Sequence, residues 1–176
     1  ALSAGGENVL IIKVDAIFAY EGFVFDLEDR LGDAYRGKIM VSTSHSHSAW
    51  AQFTGHAALK VGGGELRDTV FRGFLDGMEA AARAAIAAQR PARIGVLADT
   101  NFDPTHQITR DRRGENDDLP GGATKDDAFF MIRVDGSDDT PIAVVPIYGV
   151  HGTLNDEENM FASNDATGAV ERLLEE

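Results

Sequence analysis

The sequence has no cysteine among its 176 residues. Disulfides, thiolate metal ligands and a cysteine nucleophile are therefore all excluded, and cysteine usage says nothing about redox compartment. Any metal ion held by this chain must sit on nitrogen and oxygen ligands. Positive charge is also scarce. Lys and Arg number 16 against 29 Asp and Glu, a formal net charge of −13. A nucleic-acid partner needs a basic footprint, so none is expected, and an anionic membrane surface gains no attraction from this balance. Long apolar runs are missing too, since nothing approaches the roughly 20 residues that a membrane helix requires. No signal peptide is evident. The chain opens at Ala1 without an initiator Met and stops within a helical pattern at Glu176. It is therefore expected to be an excerpt of a longer polypeptide, which leaves the missing signal without weight.

What is present reads as an α/β protein with a layered mixed β-sheet flanked by helices. Val9-Leu10-Ile11-Ile12-Lys13-Val14-Asp15 is a buried strand ending in an acid. Residues 23–35 carry Phe23, Leu27 and Leu31 at helical spacing. The run from Gly37 to Thr43 is a second strand, and residues 50–59 form an irregular apolar loop or turn over the site that follows it. Gly62-Gly63-Gly64 breaks the chain before a helix over 65–90, with Leu66, Val70, Phe74 and Met78 on one stripe and Pro91 as its stop. Residues 93–98 make a third strand. The polar stretch 99–125 is a long functional or mobile loop. Runs at 128–134 and 141–150 flank Asp135-Gly136, an antiparallel hairpin signal. A last helix begins near Asp165, capped most simply by Ser163-Asn164-Asp165. No internal repeat or low-complexity segment is present.

The chemistry concentrates in Ser44-His45-Ser46-His47-Ser48, at the end of the second strand, and in Val150-His151-Gly152-Thr153, at the end of the last one. Open α/β sheets place ligands at strand C-terminal ends. On extended backbone His45 and His47 share a face. They can meet one metal ion, divide into one ligand and one acid–base group, or make ordinary loop contacts. His151 is a plausible further ligand. The serines lack a Gly-x-Ser-x-Gly elbow and are read as hydrogen-bonding the backbone or orienting the imidazoles. His56 and His106 read as ordinary loop residues. Asp15 is either a site residue or a strand-end turn former. Arg110, Arg112 and Arg113 read as a solvated turn, or as a source of oxyanion stabilisation. Two or three histidines without cysteine suit Zn2+ with an open position, where it lowers the pKa of water towards about 7 and polarises a carbonyl.

These motifs resemble the neutral/alkaline ceramidases. Thr43-Ser44-His45-Ser46-His47-Ser48 is similar to that family's His-Thr-His-Ser segment, Val150-His151-Gly152-Thr153 to its Val-His-Gly-Thr, and Ala162-Ser163-Asn164-Asp165-Ala166-Thr167-Gly168 to its Ser-Gly-Asp-Asn-Lys-Gly. The set runs in order over most of the chain, so residues 1–176 are expected to be part of one ceramidase-like catalytic domain. The resemblance implies zinc-dependent hydrolysis of the N-acyl amide of ceramide or a related lipid. It makes His45 and His151 zinc ligands and His47 a catalytic or substrate-orienting group. Arg110, with Arg112 as second choice, takes the place of the family's Asn-Arg-Ser-Pro arginine. The remaining ligands, a Glu and a Tyr, are expected from later in the same polypeptide. Membrane contact is expected only through the lipid substrate, and the family is commonly secreted or membrane-associated. Ala49-Trp50 stands where the family has Gly-Pro, and Leu154-Asn155 where it has Ser-Met. These departures keep two alternatives open: a zinc hydrolase of another N-acyl or ester substrate, and a non-catalytic module of the same fold.

Overall fold

A computed structural model describes the chain except residues 56, 57, 59, 112, 117, 119, 121–124, 156 and 157, with the side chains of 61 and 62 also left out. It falls into two compact units, residues 1–89 with 151–176, and residues 90–150.

The first unit begins with a hairpin. β1 (Leu2–Ala4) pairs antiparallel with β2 (Glu7–Val14), Ala4 opposite Glu7. The two intervening residues, Gly5 and Gly6, have φ of 59° and 84°. A two-residue turn with both φ positive matches strand twist, and glycine enters it without a steric penalty. β1 is an addition to the sequence reading. β3 (Ile39–Thr43) then pairs parallel with β2, Leu10 opposite Ile39 and Val14 opposite Thr43. A parallel pair needs a crossover. It is supplied by α1 (Glu21–Leu31) and a 3-10 turn (Asp33–Tyr35). The sheet is mixed, as the sequence suggested.

Alternation on β2 sends Leu10, Ile12 and Val14 into the core. Phe23 and Leu27 of α1 meet them, as do Leu75, Met78 and Ala82 of α3 (Asp68–Ala87). Phe23 is fully buried and stacks on Phe71 with ring centroids 5.1 Å apart, beside Phe53 at 5.6 Å and Phe74 at 6.0 Å. Phe53 therefore pins the irregular segment 50–55 into the core. A four-residue helix, α2 (Lys60–Gly63), includes part of the glycine run, and the break falls at Gly64, with φ of 73°. Arg30 of α1 reaches Asp76 and Glu79 of α3 at 2.6 and 2.8 Å. The last element is α4 (Asp165–Glu175). Its N-cap residue, Asn164, makes no side-chain capping bond. Ser163 Oγ and Asp165 Oδ1 accept the first N–H groups of the helix, those of Asp165 and Ala166, at 3.0 and 2.6 Å, so two of the three expected residues do cap it. Among the described residues no helix is long and apolar enough to cross a membrane.

The second unit is an antiparallel sheet in the order β4 (Ala92–Asp99), β5 (Phe129–Gly136), β6 (Pro141–Ile147). The Asp-Gly hairpin is present. Its turn closes with Gly136 N–H to Thr140 O at 2.8 Å, Asp139 taking a φ of 66°. The chain between β4 and β5 is organised by Asp103. This buried carboxylate accepts backbone N–H groups of Gln107, Ile108 and Thr109 at 2.7–3.0 Å and the Lys125 ammonium at 2.6 Å. Burial pushes the Asp103 carboxyl up, but Lys125 and those N–H groups outweigh it and hold the group well below the usual carboxylate range.

Candidate metal centre

β3 ends at Thr43, and the chain leaves the sheet with Ser44 N–H bonded to Val14 O at 3.2 Å. His45 then enters the left-handed region at φ 52°. The sequence reading put His45 and His47 on one face of extended backbone. Their rings do come together, with centroids 5.2 Å apart, but through this turn and not through the pleat of a strand. A non-glycine residue in this region is held there by its surroundings. Here Ser44 Oγ accepts Ser46 N–H at 3.4 Å, and Ser46 Oγ accepts Ser48 N–H at 3.2 Å. The serines are thus turn formers, as one sequence reading had it.

His151 is brought to the pair by backbone contact. His47 N–H donates to Gly152 O at 3.1 Å. A Cβ on Gly152 would stand 3.1 Å from His45 O and 3.2 Å from both Ser44 O and Ser46 Cα. Only a residue without a side chain lets the two segments approach this closely. The three imidazoles then cluster, the His151 centroid lying 5.0 Å from that of His45 and 4.6 Å from that of His47. One ligating atom from each lies within 4.8 Å of the others. His47 and His151 are exposed and His45 is half-buried.

The donor set fits a metal ion of the borderline kind. His45 Nδ1 lies 2.6 Å from Ile17 O. A carbonyl can only accept, so Nδ1 carries the proton and Nε2 presents its lone pair. A backbone carbonyl on the far ring nitrogen is the usual support of a metal-binding histidine. The edge of Phe18 lies against the same ring, with centroids 5.8 Å apart. His47 Nε2 and His151 Nε2 face each other at 2.8 Å. With one proton between them this is a hydrogen bond, and with none both lone pairs are open to a cation. Ile17 was invisible to sequence reasoning because its contribution is a main-chain carbonyl.

Among the described residues, none of the other candidates is a member of this cluster. Asp15 forms an ion pair with Lys13, which also meets Glu171 at 2.8 Å, so its observed role is a surface pairing. His106 lies in the second unit with φ of 56° and is not part of the triad. Arg110 is exposed in that unit. Arg112 and His56 lie outside the described residues. Asp165, read from sequence as a cap, is buried with φ of 55° and accepts the N–H groups of Leu154 and Asn155, each at 3.0 Å. No local signal marks such a role, since it depends on a positive φ and on donors ten residues away.

No protein-family model matches the sequence, and neither does any curated protein sequence. Solved structures do match. One is described as a ceramidase complexed with C2, 19% identical, with a TM-score of 0.79 over 94% of this chain and 27% of that one. Another is the neutral ceramidase from Pseudomonas aeruginosa, 18% identical, with a TM-score of 0.69 over 90% of this chain and 26% of that one. The chain thus spans about a quarter of the length of these proteins, and over nearly all of its own length it has their fold.

Proposed function

We propose that residues 1–176 form the histidine-bearing part of a zinc-dependent amidohydrolase domain that cleaves the N-acyl amide of ceramide or a related lipid. The observation that carries this reading is the triad itself. Three histidines from two segments about a hundred residues apart converge, and one has its far ring nitrogen fixed by a main-chain carbonyl. His45 and His151 are the residues to hold zinc, with further ligands from the rest of the polypeptide. Bound there, zinc supplies Lewis-acid chemistry, polarising the amide carbonyl and making water acidic near neutral pH.

The chain's own residues handle the proton. Facing Nε2 atoms at 2.8 Å share one proton. With His151 Nε2 holding zinc, that proton would reside on His47 Nε2. There it can be donated to the amide nitrogen as the C–N bond breaks, and one proton of the water whose oxygen joins the carbonyl carbon replaces it on His47. Arg110 or Arg112 is assigned the substrate's polar groups on the resemblance alone.

The test is metal content and ceramide hydrolysis of the longest natural chain, with His45→Ala and His151→Ala alongside. About one zinc per chain, lost in both variants together with activity, is expected. A folded full-length protein without zinc sinks the proposal. A panel of short N-acyl amides and esters separates ceramide from other acyl substrates. The non-catalytic alternative draws support from Ala49-Trp50, where Trp50 is 62% exposed beside the histidine segment. Zinc-loaded protein with no activity towards the whole panel would favour it.

A further inference from the structure

We infer that Asp165 and Ser46 are positioning residues that buckle the two histidine segments together, an inference that rests on the metal reading above. The structural fact behind it is the turn 163–165, which is tied to both segments at once. On one side, Ser46 Oγ donates to Ser163 O at 2.6 Å and Ser163 N–H donates to Ser48 O at 3.0 Å, so the turn grips the residues on either side of His47. On the other side, Asp165 takes four donors. Leu154 N–H lies at 3.0 Å, Asn155 N–H at 3.0 Å, Asn155 Nδ2 at 3.2 Å and Ala166 N–H at 2.6 Å. Leu154 and Asn155 follow directly on His151-Gly152-Thr153. The turn closes on itself through Asp165 N–H to Ser163 Oγ at 3.0 Å.

Both side chains are buried, and neither is a member of the triad. Each acts through the backbone it holds, and the ionised carboxylate is the stronger clasp because charged acceptors make shorter, stronger bonds. Without the buckle, His47 N–H to Gly152 O is, among the described residues, the one main-chain bond left between the segments. The 2.8 Å contact between His47 and His151 would then no longer be enforced.

The test uses the full chain. Zinc affinity is measured by competition with a chromophoric chelator for wild type, Asp165→Asn, Ser46→Ala and a core truncation in α3, Leu75→Ala, as a stability control. Both buckle variants are expected to lose about tenfold or more in affinity. Leu75→Ala keeps wild-type affinity while losing stability, which a merely structural role for Asp165 and Ser46 would not separate. Wild-type affinity in both buckle variants overturns the inference. If wild type itself binds no zinc, the metal reading fails, and 15N spectra of metal-free protein decide on the buckle. Loss of the hydrogen-bonded Nε2 signature of His47 and His151 in Asp165→Asn supports it, and an unchanged signature overturns it.

Discussion

Gly152→Ala is the sharpest probe of how the site is held. The φ of Gly152 lies outside the left-handed region, so alanine meets no backbone penalty and the whole effect is steric. The new methyl would stand 3.1–3.2 Å from two carbonyl oxygens and a Cα of residues 44–46. Carbon contacts prefer about 3.5–4.0 Å, so that backbone must recede by a few tenths of an ångström. It is poorly placed to do so. His47 N–H is tied to Gly152 O, Ser44 N–H to Val14 O, and Ser46 Oγ to Ser163 O. Over-packing a tied interior costs about 1–3 kcal/mol. With a urea slope of about 2 kcal/mol per molar, the midpoint should fall by roughly 0.5–1.5 M. Zinc affinity should fall with it, because residues 44–46 carry His45. A urea midpoint and affinity both equal to wild type would refute the idea that the segments are locked at this distance.

Three further outcomes follow from the same frame. Phe23→Ala should cost about 3–5 kcal/mol in urea unfolding, since the ring is fully buried among Phe53, Phe71 and Phe74. Gly73→Ala and Gly77→Ala in α3 should each raise stability by about 0.5–1 kcal/mol in thermal melts, because a Cβ there meets nothing within 4 Å and mid-helix glycine is entropically costly. The third outcome concerns acid. Burial pushes the Asp165 carboxyl up, but the N–H groups of Asn155, Leu154 and Ala166 outweigh it and hold the group below its ordinary value. A depressed carboxyl contributes stability that is complete above the unfolded value, near 4, and is lost as pH falls through the folded one. Unfolding free energy should therefore drop more steeply below about pH 4 for wild type than for Asp165→Asn, and parallel acid limbs would exclude the clasp.

β2 was legible because burial alternates along it. Leu10, Ile12 and Val14 point inward on β2 as the period of two requires. β1 was missed because three residues carry no period, although Gly5-Gly6 marks its turn. The α3 stripe was read at strict four-residue spacing, which drifts by about 40° per step on a helix of 3.6 residues per turn. Leu66 accordingly lies before the helix and is exposed, and Leu75, Met78 and Ala82 form the buried face. The histidines were found from their residue type and position at strand ends. The reason they converge was not found, because it lies in a left-handed His45, a main-chain carbonyl at Ile17 and a carboxylate clasp at Asp165.

That distinction bears on the departures from the ceramidase pattern. Leu154 and Asn155 stand where the resembling motif has Ser-Met, and a reader of side chains would count the site as altered there. Yet the chain is held at these two positions chiefly through main-chain N–H groups, each 3.0 Å from Asp165. Any residue except proline supplies such a donor. Ser163 likewise meets Ser46 and Ser48 through its own backbone carbonyl and N–H. The side chains that the frame does require are Gly152 for its absence of bulk, Ser46 for its hydroxyl and Asp165 for its charge, and all three are present. Divergence at 154–155 is therefore expected to leave the geometry of the three histidines unchanged while altering the exposed surface at Leu154. On the proposed function, such divergence is expected to alter substrate choice before it weakens metal binding, so substrate panels are the more informative place to look for its effect.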